Sequence, residues 1–478
     1  MISTRPVVRT FCAGIALILA SGAVGAVAKV RSAQVMQWST SADGSRKLAR
    51  MPDLRLEAAT AKSGDDPDAV TVNAAIRYQR MVGFGAAMTD SSAQLIMALP
   101  SGRRSKLLDE LFEPAKLGLS FMRLPIGASD FSVEHYSLDD VEPGKTDPAL
   151  SHFSMAKAAN QIAATAAARS RNLQLTLMAS PWSAPAWMKA SGSLITGRLE
   201  PQHREAFARY LARYVREMGR RGLPISWLTV QNEPDFEPTN YPGMRLEPAD
   251  RAALISQFLG PMLARGHAAT RILDWDHNWD KPENPLAVLA DPGANRYIAG
   301  VAWHCYGGNV VAQGTVQARY PGKDSFHTEC SGGGWAPDWA GTLGWMTSQL
   351  IIGASRNGSR GTLLWNLALD ETGGPHKGGC GNCRGVVTIN SASGEVTRNV
   401  EYYVLGHASR FVRPGARRIA SDQKAGIDNV VWRNPDGSMV LLAHNPAKQA
   451  ATLNVVSGKR RFSRAIPPGE VSTFVWKQ

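Results

Sequence analysis

The sequence predicts an α/β fold, a closed (β/α)8 barrel with a small antiparallel β-sandwich built from both chain ends. Two observations carry this. From residue 81 onward, eight short and nearly continuous apolar runs alternate with longer amphipathic segments, the pattern of parallel strands covered by helices. Before residue 79 and after residue 413 the pattern becomes strand-like runs without intervening helices. The chain has 478 residues, 44% hydrophobic and 19% charged, which is enough for a large barrel and a smaller companion with a substantial core.

The eight candidate strands are MVGFGAAM (81–88), LSFMRLPIG (119–127), LQLTLMAS (173–180), SWLTVQNE (226–233), RILDWDHN (271–278), YIAGVAWHCY (297–306), DSFHTEC (324–330) and TLLWNLAL (362–369). Helical stretches such as SMAKAANQIAATAAARSR (154–171), REAFARYLARYVREMGRR (204–221) and LGWMTSQLIIGASR (343–356) separate them. Eight such units suggest barrel closure. A doubly wound open sheet is the competing arrangement, but no GxGxxG loop opens a strand–helix unit. The barrel is placed at 79–413. After a helix over 400–412, Asp436-Gly437 separates two strand-like runs, a hairpin signal. Residues 29–78 and 414–478 form the sandwich.

Residues 1–28 read as a secretory signal peptide: Arg5 and Arg9, an apolar run, then Ala26-Val27-Ala28 before the expected cleavage point. The alternative, an uncleaved anchor helix, is weakened by several Gly and Ser residues. The expected product is exported, periplasmic or secreted, with no stable membrane span after cleavage. Cys12 would leave with the signal. The remaining Cys305, Cys330, Cys380 and Cys383 permit three disulfide pairings. Cys380 and Cys383 form a lone CxxC in a glycine-rich loop, without the further ligands of a zinc site or the strand–helix setting of a redox motif. A local structural disulfide fits best, with Cys305 and Cys330 free or mutually bridged. No metal and no cofactor are expected.

The formal charge is +13. Arg and Lys are scattered without interleaved stacking aromatics, which argues against nucleic acid. GKRRFSR (458–464) reads as a solvated strand face or turn, although a basic surface attracts anionic polysaccharides over long range.

Active sites of such barrels form at the C-terminal strand ends. There the sequence places Arg123 and Asp130, Trp182, Asn232-Glu233, Asp276-His277, His304 and Tyr306, Glu329, and Trp365-Asn366. This is the chemistry of a lined pocket, not of an apolar core. Glu233 and Glu329 stand out, since glycoside hydrolysis uses two carboxyl groups, one to protonate the leaving oxygen and one on the opposite face of the ring. Trp182, Tyr306 and Trp365 can stack on sugar faces, and Asn232 can donate to a 2-hydroxyl. Taken singly, NEP is often a turn, Asp276 and His277 suit a strand-end cap, and His304 and His327 are more often packed side chains than metal ligands.

The ordered set GFGAAMTDSSA (83–93), MRLPIGASDFS (122–132), ASPWSAPAWMK (179–189), VQNEP (230–234), HCYGG (304–308), HTECSGG (327–333) and WNLALDETGGP (365–375) resembles glycoside hydrolase family 30, specifically its glucosylceramidase-like branch in a bacterial form. The resemblance implies a retaining β-glycosidase with Glu233 as acid/base and Glu329 as nucleophile. It also implies that Asp130, Trp182, Asn232, Tyr306 and Trp365 line the subsite for a β-linked glucoside or glucan, and Asn366 at the same rim is expected to bind substrate with them. The loop PHKGGCGNCRGVVTI (375–389) departs from the lysosomal enzymes and would shape the leaving-group side. A β-1,6-glucanase of the same family and a non-catalytic carbohydrate-binding protein are the alternatives. The second of these has no use for a pair of glutamates. Oligomeric state is not encoded in any motif.

Overall fold

The computed structural model describes Met1 and residues 34–59, 66–266, 269–423 and 426–477. The signal peptide, its cleavage point and Cys12 lie outside the described residues, Met1 excepted. Eight parallel strands close a barrel: Gly83–Ala87, Phe121–Ile126, Thr176–Pro181, Ile225–Thr229, Arg271–Asn278, Ile298–His304, Asp324–Glu329 and Ser359–Asn366. They are numbered one to eight here. Each neighbours the next in sequence, and strand eight pairs with strand one through Gly361↔Gly83 and Asn366↔Ala87.

The covering helices follow the expected periodicity. Arg204–Arg220 buries Phe207, Tyr210, Leu211, Tyr214 and Met218, spaced at three and four residues along one face. The predicted helix 343–356 begins earlier, at Trp339, and passes through a π-helical stretch over Thr347–Gly353.

The barrel floor is filled by one inward residue from each of seven strands: Phe121, Met178, Trp227, Leu273, Ala302, Phe326 and Leu363. The rings of Phe121 and Trp227 lie 5.6 and 4.6 Å from that of Phe326. Strand one contributes Gly85 instead, where a Cβ would sit 1.8 Å from the Phe121 carbonyl oxygen. This plug closes the barrel below and leaves the strand ends as its open mouth.

The sandwich draws on both chain ends in one ten-stranded sheet, with Gln34–Thr40 pairing Val471–Trp476. Its strand Val70–Arg80 leads directly into barrel strand one. The hairpin predicted at Asp436-Gly437 joins Asp428–Arg433 to Met439–His444. In the latter strand Met439, Leu441 and Ala443 face the sandwich core, while Val440 and Leu442 join the core shared with the barrel. Burial on both faces is why this strand reads as continuously apolar. The interface is also tied by polar contacts: His407, on the barrel helix Val400–Ser409, hydrogen-bonds Thr40 at 2.8 Å and Thr473 at 2.9 Å. Among the described residues no helix is long and apolar enough to cross a membrane.

Candidate active site

Above the floor, the next inward position on most strands is polar. Arg123, Ser180, Thr229, His304 and Thr328 each stand two residues beyond a floor residue and are fully buried. They converge on Asp276. Its Oδ2 accepts from Arg123 Nη2 (2.7 Å), Ser180 Oγ (2.7 Å) and Thr229 Oγ1 (2.8 Å). Its Oδ1 accepts from Thr328 Oγ1 at 2.7 Å and lies 3.1 Å from His304 Nε2. Burial alone would raise this carboxyl, but the Arg123 and His304 charges outweigh it and hold Asp276 well below the usual carboxylate range.

Simple alternation does not place Asp276 here. Leu273 faces the floor, Asp274 pairs outside the barrel with Arg251 at 2.8 Å, and Trp275 packs in the outer core. Trp275 and Asp276 both have left-handed backbones, with φ of 77° and 53°, and the register with strand six slips at this point. The irregularity turns Asp276 inward one residue late. It is a hub of the site, not a strand-end cap.

Arg123 is the second hub. Its guanidinium donates to Glu329 Oε2 (2.5 Å), to Asn232 Oδ1 (2.7 Å) and to Asp276. It also lies 4.7 Å from the Trp182 ring centroid and 5.6 Å from that of Trp365. Those two indoles stack 4.9 Å apart at an interplanar angle of 17° and form one wall of the pocket. The Arg123 bond to Asn232 uses the amide oxygen, which orients the amide N–H groups as donors for a ligand.

Strand four ends at Thr229, earlier than predicted, and the chain continues along the rim. Asn232 N–H donates to Pro181 O (2.8 Å) and Glu233 N–H to Asp276 O (3.0 Å), with Glu233 at φ 48°. A glutamate in the left-handed region is costly, and here backbone bonds on both sides maintain it. Glu233 Oε1 lies 3.0 Å from His304 Nδ1 and 3.7 Å from His277 Nδ1. Glu329 Oε1 accepts from Tyr306 Oη at 3.0 Å and stands 3.9 Å from His304 Nδ1. The two glutamates thus share one imidazole neighbour, and their nearest oxygens are no more than about 7 Å apart.

The two carboxyls titrate differently. Burial pushes Glu329 up, opposed by His304 and Arg123. Burial acts on Glu233 too, but the hydrogen bond to His304 and the charges of His277, His304 and Arg123 bring it below its ordinary value. Burial opposes charging His304, yet Glu329, Asp276 and Glu233 together raise it to about 9. The shifts of the two carboxyls are thus opposite in sign, with His304 between them.

The other expected site residues fall around this centre. Asp130 is buried, 3.5 Å from Trp365 Nε1, and burial followed by the Glu329 charge raises it to about 8. Tyr306 is half-exposed at the mouth with its hydroxyl turned in to Glu329. Asn366 Oδ1 accepts from Thr89 Oγ1 (2.8 Å), and its amide nitrogen is buried without a partner. His327 is buried with neither ring nitrogen partnered, beside Trp279. Cys305–Cys330 and Cys380–Cys383 are both disulfides. The first joins the residue after His304 to the residue after Glu329. The second packs against the Trp182–Trp365 wall, and Gly379 lies so close to Asp130 that a Cβ would be 2.4 Å from its Cβ. The loop 375–389 therefore contacts the Trp182–Trp365 wall and Asp130.

From sequence, Arg123 and Asp276 are rim positions without a catalytic or binding role, and Ser180, Thr229 and Thr328 are not singled out. Arg123 and Asp276, polar residues at the ends of apolar strands, carry the usable signal.

The model of the glycosyl hydrolase family 30 TIM-barrel domain matches residues 81–412, and that of the family 30 β-sandwich domain matches 415–474. The chain belongs to glycosyl hydrolase family 30. Within the family it is 34% identical over 428 residues to endo-1,6-beta-D-glucanase neg1 of Aspergillus fumigatus, covering 83% of this chain and 85% of that one. It is 27% identical over 432 residues to the lysosomal acid glucosylceramidase of Mus musculus, covering 84% and 82% of the two chains. A solved endo-β1,6-glucanase superposes with a TM-score of 0.86 at 28% identity, covering 93% of this chain and 99% of that one. The protein is accordingly a family 30 glycoside hydrolase.

Proposed function

We propose that this family 30 hydrolase cleaves β-1,6-linked glucan by a retaining double displacement, with Glu329 as nucleophile and Glu233 as acid/base. The observation that carries the substrate assignment is the similarity to endo-1,6-glucanases over most of the chain. It favours the glucanase over the glucosylceramidase-like reading that the motifs first suggested, because the mouse glucosylceramidase matches at lower identity.

The chemistry rests on the site. Glu329 attacks the anomeric carbon, and Arg123 offsets its charge and holds Oε2 while Tyr306 holds Oε1. The leaving oxygen takes a proton from Glu233. That proton reaches Glu233 Oε1 across the 3.0 Å hydrogen bond from His304 Nδ1, with Asp276 fixing the ring from its other nitrogen. Water activated by Glu233 then releases the sugar with its β configuration kept. Trp182 and Trp365 stack on the sugar, and Asn232 donates to its 2-hydroxyl. We also propose export, on the Arg-flanked apolar start of the sequence; N-terminal sequencing of protein recovered from medium or periplasm should begin at or near Lys29.

A panel of β-1,6-glucan, xylan, glucosylceramide and an aryl β-glucoside tests the assignment. β-1,6-Glucan should give the highest kcat/KM and release oligosaccharides from within the chain. Preferred turnover of glucosylceramide would overturn the substrate, and an α-anomeric first product would overturn the mechanism.

A further inference from the structure

The acid side of the pocket holds a second kind of chemistry. Glu233, His277 and His304 each offer one ligand atom, and these atoms lie within 4.8 Å of one another. We propose that these three side chains bind a divalent transition-metal cation of the zinc class, which blocks hydrolysis by engaging Glu233.

Three observations support the site. The first is spacing. Two zinc bonds of about 2.1 Å at a tetrahedral angle separate their ligand atoms by roughly 3.4 Å. The Glu233 Oε1 distances to His304 Nδ1 and His277 Nδ1, 3.0 and 3.7 Å, fall on either side of that value. The two imidazoles, within 4.8 Å of each other, would close on the ion as it displaces the proton that His304 Nδ1 shares with Glu233.

The second is an orphan ligand. His277 Nδ1 is buried without a hydrogen-bond partner, and its side chain is only 12% exposed. A buried ring nitrogen without a partner is uncommon and calls for one. It is aimed at the same carboxylate oxygen that His304 already holds.

The third lies behind the ligands. Histidines that bind metals commonly give their other ring nitrogen to a carboxylate, which fixes the ring and strengthens the ligand. His304 has this arrangement, with Nε2 3.1 Å from Asp276 Oδ1. Asp276 is itself held by Arg123, Ser180, Thr229 and Thr328, so the ring is braced before any ion arrives.

The donor set selects the ion. Two imidazoles and one carboxylate make up a zinc-type set that leaves a fourth position open. Magnesium and calcium prefer all-oxygen surroundings and are a poor match. Occupancy commits the Glu233 oxygen that would otherwise hand a proton to the leaving group. That consequence rests on the acid/base reading above, whereas the binding itself does not.

The experiment is a calorimetric titration of the tag-free full-length protein, first dialysed against chelator, with zinc chloride and separately with magnesium chloride. Cobalt(II) serves as a spectroscopic probe through its visible bands. One zinc ion should bind per chain, magnesium should not, and cobalt should show the intense absorption of a four- or five-coordinate site. His277→Ala should weaken zinc binding by about tenfold or more, the scale of losing one element of a metal site. His277→Gln, which retains side-chain bulk without a ring nitrogen, should do the same if the alanine variant misfolds. Hydrolysis should fall in step with zinc occupancy and return on adding chelator. Absence of a stoichiometric zinc site, or wild-type affinity in both His277 variants, would overturn the proposal. Zinc binding that depends on His277 while hydrolysis continues at saturation would uphold the site but overturn the block, and with it Glu233 as the acid.

Discussion

His304 Nδ1 lies 3.0 Å from Glu233 Oε1, and the same ring nitrogen lies 3.9 Å from Glu329 Oε1. One imidazole thus stands between the two carboxyl groups that the proposed mechanism needs in opposite protonation states. Asp276, on its far nitrogen, sets the orientation of the ring.

Removing the glutamates should produce different defects. Glu329→Ala should abolish turnover of every glycoside, because no covalent intermediate forms. Glu233→Ala should lower kcat/KM on glucan by about 10² to 10⁴-fold. It should largely spare a dinitrophenyl glycoside, whose leaving group needs no proton, and azide should speed its slow deglycosylation. An active Glu329→Ala enzyme would remove the assignment.

The raised pKa of His304 makes stability depend on pH. A histidine with a folded value of about 9 against an ordinary 6.5 contributes stability that is fully present below about pH 6.5 and lost as pH rises toward 9. The wild-type Tm should fall across that window. His304→Gln should start less stable and show a flatter profile there. Parallel profiles for the two proteins would show that the ring is neutral in the folded state.

Asp276 has the opposite sign. Its depressed carboxyl contributes stability above the unfolded value near 3.9, and that contribution is lost as acid protonates it. Asp276→Ala leaves the Arg123 charge buried with one partner fewer, so a loss of about 3–5 kcal/mol is expected by urea unfolding. A loss below about 1 kcal/mol would mean that water or a rearranged Glu329 replaces the carboxylate.

Cys305–Cys330 should stabilise chiefly through the unfolded chain. A loop of 25 residues corresponds to about 3–4 kcal/mol by the chain-entropy estimate. The Cys305→Ser/Cys330→Ser double variant should unfold at lower denaturant concentration. It should also lose kcat, because the bridge fixes the residues following His304 and Glu329. Unchanged kcat in a folded double variant would confine the bridge to a stability role.

The sequence by itself determined the architecture and which side chains reach its rim. Apolar strands alternating with amphipathic helices require a helix-covered parallel sheet, because backbone pairing and two-sided burial permit little else. The polar residues that interrupt such strands at their ends, Glu233, Glu329, Trp182 and Trp365 among them, could be located by position alone. Only the tertiary structure decided how those side chains are held. Asp276 turns inward because two left-handed residues break the alternation of strand five, and a period-two reading cannot register that slip. The partners of Arg123 come from the rim segment after strand four and from strands five and seven, and meet only when the barrel closes. The Asn366 oxygen is taken by Thr89, a pairing that neither local stretch records. A strand's sequence records which residues alternate and where the run ends. It does not record which neighbour each polar atom finds across a closed sheet, and that pairing sets the charge and proton balance of the site.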